Sequence, residues 1–284
     1  SERVGRIYEK GLYRGGTQNP QTFIARASTQ LRSLKLSDSE VKVITAVAEN
    51  EGNLDAINTW DNSFLSFGIF QWTAGAENSP GELGALLELL KRQAPTVFQH
   101  YFGQFGLDVQ PQEGSDTGWI TLNGQRLMST AQKSILRQPI WAYRFAIAGT
   151  DTVVQSVQIL HAINRLDRFY FSPQRDLQNV ALSRLFTSEF GVALLLDNHV
   201  NRPGYVVSCV AEALKQQNMS ASQLANGTEA DEQRVINSYL VIRQTYGKYP
   251  MTDALERGNR ARQRVTQGLL SSRRNSFVSN RSSR

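Results

Sequence analysis

The sequence predicts a mainly α-helical protein that carries a small β-hairpin. Three observations lead to this prediction. Apolar residues recur with helical spacing along most of the chain, one helix start shows a complete capping box, and one Asn-Gly pair separates two apolar-rich runs. No internal repeat and no clear linker interrupts this pattern before a basic C-terminal stretch, which favours one main domain.

The clearest predicted helix lies in the segment LSDSEVKVITAVAENEG. Ser37 and Glu40 form the S-x-x-E capping box at its start, and Gly52 is a typical stop signal. Asn123 and Gly124 give the strongest short hairpin signal. Weaker helical spacing covers 23–36, and further helices are predicted in SPGELGALLELLKRQAP and at 135–148, 152–166, 174–200, 205–216 and 231–246.

The composition is that of an ordinary globular protein. Of 284 residues, 40% are hydrophobic and 20% charged, and the formal net charge of +6 predicts attraction to polyanions such as nucleic acid, anionic lipid or cell-wall polymer. No stretch approaches the roughly 18 apolar residues of a membrane helix, and the sequence as given begins without the apolar block of a signal peptide. The single Cys209 excludes an internal disulfide and a cysteine-cluster metal site, and the three histidines show no ligand spacing, so no metal is expected. No organic cofactor is expected either.

Two acids end the first strong helix. At 100° per residue, Glu51 shares a sector with Ile44, Val47 and Ala48, whereas Glu49 projects to the solvent side. The last helical turn and an apolar surrounding both disfavour a charged carboxylate, so we expect Glu51 to favour its protonated form, as a general acid requires. A frayed helix end would also account for its position.

The residues after Glu51 carry a recognisable motif. The run "ENEG" is followed about twenty residues later by "FGIFQW", which contains Gly68 and Gln71 and is preceded by Ser66. This pair resembles the lysozyme-like superfamily, particularly lytic transglycosylases and goose-type lysozymes. The resemblance implies that Glu51 is the catalytic acid and that Ser66, Gly68 and Gln71 line a saccharide groove. Gly52 departs from the serine that transglycosylases usually carry.

A later segment, "LLLDNHVNRPGYV", is similar to the motif that forms the opposite groove wall in that superfamily. The segment matches the motif at Asn201, Pro203, Gly204 and Val206, whereas it departs from the motif at His199 and Arg202. The resemblance therefore implies substrate contacts near His199 and Asn201. Glu189 lies on an apolar helical stripe, and we expect it to be a buried structural acid bonded to a backbone amide or an arginine.

The chemistry of glycoside cleavage calls for a second group. Inverting hydrolysis needs a base roughly 6.5–9.5 Å from the acid and retaining hydrolysis a carboxylate at about 5 Å. Asp61 is the preferred second acid and Asp55 the next, while Glu51 alone would suffice if the product is an anhydro sugar. Trp60 and Trp72 offer flat faces to sugar rings, and Trp72 beside Gln71 is the preferred aromatic contact.

These observations predict a bacteriolytic glycosidase, a muramidase or a lytic transglycosylase, acting on β-1,4 linkages of peptidoglycan with Glu51 as general acid. The expected fold is a lysozyme-like domain at 37–250, with an N-terminal helical extension at 1–36 and a basic, partly flexible tail at 251–284. The expected partners are peptidoglycan or a related amino-sugar polymer and an export or delivery machinery, and the expected place of action is the cell wall, in the periplasm or outside the cell.

Three other functions remain open. The first is a catalytically silent wall-binding or structural component of a phage-tail-like or secretion assembly, and the second is a chitinase-like or chitosanase-like hydrolase. The third, a nucleic-acid-binding module, is disfavoured because no Lys or Arg lies among the aromatic residues between Asn50 and Leu90.

Overall fold

The computed structural model describes residues 5–281 and shows a mainly α protein with three small antiparallel sheets. This confirms the predicted fold class at that level. The chain divides into two compact units. The first comprises the chain up to Gln30 together with Glu51–Ala162, and the second comprises Leu31–Asn50 together with the chain from Ile163 onward.

The elements follow one another in a fixed order along the chain. The helices are α1 (Pro20–Arg26), α2 (Ser28–Ser33), α3 (Asp38–Ala48), α4 (Glu82–Gln93), α5 (Pro95–Tyr101), α6 (Thr130–Lys133), α7 (Pro139–Ala148), α8 (Thr152–Asn164), α9 (Leu166–Phe169), α10 (Leu182–Leu185), α11 (Glu189–Asn201), α12 (Val206–Gln216), α13 (Ala221–Ala225), α14 (Glu229–Thr245) and α15 (Ala254–Thr266). The strands are β1 (Arg6–Ile7), β2 (Leu12–Arg14), β3 (Ile57–Asn58), β4 (Ser66–Phe67), β5 (Trp72–Thr73), β6 (Leu107–Pro111), β7 (Gly118–Leu122), β8 (Gln125–Arg126), β9 (Pro173–Gln174) and β10 (Val180–Ala181).

The first unit combines two sheets with helices. Strands β1 to β5 form one sheet in sequence order, and β6, β7 and β8 form another. The predicted hairpin is confirmed: Asn123 (φ 50°) and Gly124 (φ 79°) connect β7 to β8 in the left-handed conformation that this pair adopts readily. In the core, the Phe145 ring lies 5.2 Å from Phe67 and 4.7 Å from Phe102, measured between centroids.

The second unit is built around α11, whose residues from Glu189 to His199 are all buried. Helix α3 packs against it, and α12 packs against α14. The predicted capping box is confirmed, because Ser37 accepts a hydrogen bond from the Glu40 amide and Glu40 accepts one from the Ser37 amide. These contacts fix the start of α3.

The single helix predicted at 174–200 is wrong. The segment instead forms β9, β10 and α10 before α11 begins. Ser188 caps α11 by accepting a hydrogen bond from the Gly191 amide, and the carboxylate of the fully buried Glu232 accepts the amides of Thr187 and Ser188. These bonds, made to a residue 45 positions away in sequence, stabilise the break between α10 and α11.

The two predicted terminal segments contain the following elements. The segment predicted as a helical extension holds α1 and α2 and also β1 and β2, and the segment predicted as a basic, partly flexible tail holds α15 followed by a stretch without helix or strand. In that stretch Arg281 pairs with the buried Glu40 at 3.0 Å and Arg274 pairs with the buried Glu232 at 2.8 Å. Residues 1–4 and 282–284 of these predictions lie outside the described residues.

Among the helices of residues 5–281, none is both long enough and apolar enough to cross a bilayer.

Candidate functional site

Glu51 lies just beyond a helix rather than in its last turn. Helix α3 ends at Ala48, the Asn50 amide donates to the Val47 carbonyl at 3.0 Å, and Glu51 follows in a bend, half-buried. The prediction that Glu51 belongs to the last helical turn is therefore corrected. The influence of a helix dipole falls off within that turn, so the dipole does not support a protonated Glu51, and its role as proton donor stays a prediction.

The two halves of the predicted motif meet in the first unit. The amide of Gly52, next to Glu51, donates to the Ile69 carbonyl at 3.1 Å. Ile69 lies in the tight turn between β4 and β5, which spans residues 68–71 and closes with a hydrogen bond from the Gln71 amide to the Gly68 carbonyl at 3.0 Å. The sequence pattern thus corresponds to a local contact, in which the backbone next to the acid is bonded to the turn.

The 68–71 turn depends on its glycine. Gly68 has φ 79°, and a Cβ placed on it would lie 2.2 Å from Oε1 of Gln158. Gln71 also has positive φ (50°), and its Nε2 donates to the carbonyl oxygens of Gly68 and Ala56, at 2.9 and 3.3 Å. The Gln71 amide nitrogen therefore stabilises the turn.

Gln158 on α8 bridges two segments of the candidate site, and the sequence did not single it out. Its fully buried side chain accepts from the Ile69 amide at 3.1 Å and donates to the Leu54 carbonyl at 2.8 Å, so it joins the 68–71 turn to the segment after Glu51. A signal was present: two glutamines, Gln155 and Gln158, stand in the apolar run VVQSVQIL. Buried amides require hydrogen-bond partners, so such glutamines indicate a polar bridge.

Two predicted substrate contacts are buried. Ser66 is 3% exposed and Trp72 is 1% exposed, and the Trp72 ring packs against Phe70 and His161 at 5.5 and 5.2 Å. Trp72 lies directly opposite the buried Phe67 in the sheet, and residues paired in this way share a face. The prediction of Trp72 as the preferred sugar contact is therefore corrected, and Ser66 supports the sheet instead.

Asp55 is enclosed by the N-terminal segment. Its side chain has no exposure; Oδ1 accepts the amides of Thr17 and Gln18, each at 2.8 Å, and Oδ2 lies 3.2 Å from the Arg14 guanidinium. A carboxylate so surrounded stabilises the backbone around it. The prediction of Asp55 as a second catalytic acid is corrected to this structural role.

Asp61 lies in a half-buried loop with a defined orientation. Its Oδ1 accepts from the Ser63 amide at 2.8 Å and its Oδ2 accepts from Asn58 Nδ2 at 2.9 Å. Arg137 donates to the carbonyl oxygens of Thr59 and Asp61 at 2.6 and 2.7 Å. Burial lowers the pKa of Arg137, and the nearby Asp61 opposes this shift.

Trp60 is a predicted aromatic contact that lies at the surface. Its side chain is 45% exposed and stacks on Tyr8, with ring centroids 5.6 Å apart. Of the two predicted tryptophan contacts, Trp60 is thus the one that a ligand could reach.

His199 and Asn201 belong to the second unit. His199 is 9% exposed, stacks on Phe169 at 4.1 Å and has its Nδ1 3.4 Å from Nη1 of Arg165. Asn201 is half-buried and donates to the Asp197 carbonyl at 3.3 Å. Their contact with a substrate stays a prediction.

Glu189 has structural partners. It is 3% exposed, and its carboxylate accepts from the Ser39 hydroxyl at 2.7 Å, from Lys42 at 3.2 Å and from the Ser271 amide at 2.9 Å. The backbone amide partner agrees with the expectation, whereas the cationic partner is a lysine and not an arginine.

Among residues 5–281, no group of three or more His, Cys, Asp or Glu side chains is placed to hold a metal ion. The lysozyme-like resemblance rests on Glu51, Gly68, Gln71 and the weaker later motif. No protein-family model, curated protein or solved structure matched the chain.

Proposed function

We propose that the chain cleaves β-1,4 linkages of peptidoglycan, as a muramidase or a lytic transglycosylase, with Glu51 as general acid. The observation that supports this proposal is the bond between the Gly52 amide and the Ile69 carbonyl. It holds the backbone beside a half-buried carboxyl against the turn that carries Gly68 and Gln71. A carboxyl in such a position can hold a proton and still be reached by a glycosidic oxygen.

The segment that carries Glu51 is well fixed, as proton transfer requires. Gln158 bonds both Leu54 and Ile69, and Asn53 Nδ2 donates to the carbonyl oxygens of Gly15 and Gly16 at 2.9 and 3.1 Å. Because Gln71 Nε2 already donates within the turn, we expect its Oε1 to face a sugar hydroxyl or an N-acetyl N–H.

The second step of the reaction depends on a water or on the sugar itself. In a hydrolase, Glu51 protonates the leaving oxygen and a carboxylate directs water to the anomeric carbon. We assign that role to Asp61, because Asp55 is enclosed. In a transglycosylase, the deprotonated Glu51 instead accepts the proton of a sugar hydroxyl, which closes an anhydro ring.

The test is turbidity loss of purified cell walls with wild type, Glu51→Gln and Glu49→Gln. Glu49 is a matched control, because it lies two residues upstream, is paired with Arg264 at 2.6 Å and has no role in the proposal. Loss of a general acid should slow cleavage by about 10²–10⁴-fold. Glu49→Gln should retain the wild-type rate.

Each outcome has a defined meaning. Wild-type activity in Glu51→Gln removes the assignment, and inactivity of every protein with retained wall binding favours the catalytically silent wall-binding role. Mass analysis of the fragments separates reducing ends from anhydro ends. A parallel assay with chitin and chitosan tests the alternative polymers.

A further inference from the structure

We propose that the first unit binds a saccharide next to Asp61, at a site formed by an aromatic platform and an adjoining cavity at the tip of the β1–β2 hairpin. The aromatic platform consists of Tyr8 and Trp60. The choice of a β-1,4-linked amino-sugar chain as ligand rests on the proposed function, whereas the site itself rests on the geometry below.

The aromatic platform is exposed and pre-formed. The Tyr8 and Trp60 rings are 38% and 45% exposed, and their planes differ by 30° at a centroid distance of 5.6 Å. Because the two rings stack on each other, each covers one face of its neighbour and leaves its outer face and edges to solvent, and such an exposed aromatic face suits the C–H face of a sugar ring. Their order in the free protein limits the entropy lost on binding.

A close backbone approach fixes the relative position of the two rings. The Tyr8 amide donates to the Gly11 carbonyl at 2.7 Å, which closes the β1–β2 hairpin. A Cβ on Gly11 would lie 2.4 Å from the Thr59 carbonyl oxygen, so this position requires glycine. The Thr59 amide donates to the Leu12 carbonyl at 2.8 Å, and the hairpin tip therefore rests on the loop that carries Trp60.

The same two chain segments also line a cavity of about 560 Å³. The hairpin tip supplies Lys10, and the loop after Trp60 supplies Asn62 and Phe64. The remaining lining residues are Ala76, Glu77, Thr130, Ser134 and Arg137. Amide, hydroxyl and charged groups around one aromatic ring match the alternating polar and apolar surface of a sugar, and the volume is in the range of small-ligand sites.

One half-buried and one buried cation hold the walls of this cavity. Arg137 lies over the Phe64 ring at 4.7 Å. Lys133 is 2% exposed and donates to the carbonyl oxygens of Ala74, Gly75, Ala76 and Ser79, at 2.6–3.0 Å. Phe64 itself has φ 64°, a strained conformation for a bulky residue, and such strain concentrates at ligand sites.

Charge separates a saccharide from a nucleic acid as the ligand. The first unit holds 11 Lys and Arg against 12 Asp and Glu, so it offers no excess of cations to a phosphate backbone. Arg6 lies over the Tyr8 ring at 5.4 Å and Lys10 lines the cavity, but single-stranded nucleic acid sites combine stacking with a basic groove. A neutral amino-sugar chain fits this charge balance.

The test measures binding of chitin tetrasaccharide to the full chain that carries Glu51→Gln, so that no cleavage occurs. Trp60 is 45% exposed and Trp119 is half-buried, whereas Trp72 and Trp141 are 1% and 3% exposed, so the fluorescence shift is measured in a Trp119→Phe background, where it reports mainly on Trp60. Tyr8→Ala should raise the Kd about tenfold, which corresponds to about 1.4 kcal/mol, because it removes one of the two rings of the aromatic platform. Tyr13→Ala is the matched control, because Tyr13 is 44% exposed on the neighbouring strand, and its Kd should stay within twofold of the parent.

The outcomes separate this inference from the proposed function. Equal Kd values for the parent and Tyr8→Ala, absence of binding to the parent, or tighter binding of a dT hexamer would overturn it. Concentration-dependent dimerisation that Tyr8→Ala abolishes would identify a second copy as the occupant instead. If walls are not cleaved by wild type but Tyr8→Ala still weakens tetrasaccharide binding, the proposed function fails and the site remains.

Discussion

Replacing the enclosed carboxylate of Asp55 tests whether this acid stabilises the fold or takes part in catalysis. In Asp55→Ala, the amides of Thr17 and Gln18 lose the acceptor that they share at 2.8 Å. Each of these hydrogen bonds to a charged acceptor contributes about 1.5–3 kcal/mol. Arg14 is 28% exposed, so solvent screens its pair and we assign at most about 1 kcal/mol to it. Together these losses lower the free energy of unfolding of the first unit by about 3–7 kcal/mol.

Urea denaturation followed by tryptophan fluorescence measures this loss selectively. All four tryptophans, at positions 60, 72, 119 and 141, lie in the first unit. With an m-value of about 2 kcal/mol/M, the expected shift of the urea midpoint is about 1.5–3.5 M. Asp61→Ala is the control, because that carboxylate accepts only local bonds in a half-buried loop, and its loss should cost about 1 kcal/mol.

Two results would refute the structural role of Asp55. An unchanged urea midpoint for Asp55→Ala would show that the enclosed carboxylate does not stabilise the fold. An Asp55→Asn protein that keeps wild-type stability but no longer degrades cell walls would return Asp55 to the catalytic group.

Two further predictions concern the turn beside Glu51 and the cavity wall. Gly68→Ala should lower the free energy of unfolding by more than about 2 kcal/mol, because the residue has positive φ and the added Cβ would clash with Gln158. In a Gln158→Ala background the clash is removed, so part of this loss should be recovered. Burial lowers the pKa of Lys133 from its ordinary 10.5 to about 8. Between about pH 8 and pH 10.5, Lys133 is protonated in the unfolded chain and deprotonated in the folded chain. The free energy of unfolding should therefore increase with pH over this range. Urea midpoints at pH 7.5 and 9.5 should show that rise in wild type and a smaller one in Lys133→Met; equal slopes would contradict it.

Local signals in the sequence predicted structure well, because the energies behind them are local. The capping box of Ser37 and Glu40 and the hairpin at Asn123 and Gly124 each depend on residues within four positions. The five-stranded sheet escaped prediction because its strands are two or three residues long, too short to show an alternating pattern. The ordered C-terminal stretch escaped because its arginines pair with acids more than forty positions away.

The candidate site was likewise predictable from the sequence only where its contacts are local. The motif predicted that Glu51 lies near the turn of Gly68 and Gln71. In the structure, the Gly52 amide next to Glu51 donates a hydrogen bond to Ile69 in that turn. Gln158 and Arg137 could not be identified as partners, since their contacts join residues 76 to 104 positions apart. The orientation of Trp72 was missed because a two-residue strand does not reveal which of its faces is buried.

On the proposed function, the distribution of charge between the units predicts that salt weakens wall attachment and leaves cleavage nearly unchanged. The second unit holds 20 Lys and Arg against 13 Asp and Glu, whereas the unit with Glu51 and the aromatic platform has no cationic excess. Attraction of the second unit to an anionic wall polymer is screened by salt, because the Debye length falls from about 10 Å at 0.1 M to about 3 Å at 1 M. Over that range, we expect retention on cell walls to fall at least about tenfold, while cleavage of a soluble, uncharged amino-sugar chain changes less than about twofold. A parallel loss of both would mean that the charges act on the chemistry itself, and a salt-independent retention would assign wall binding to uncharged contacts such as the aromatic platform.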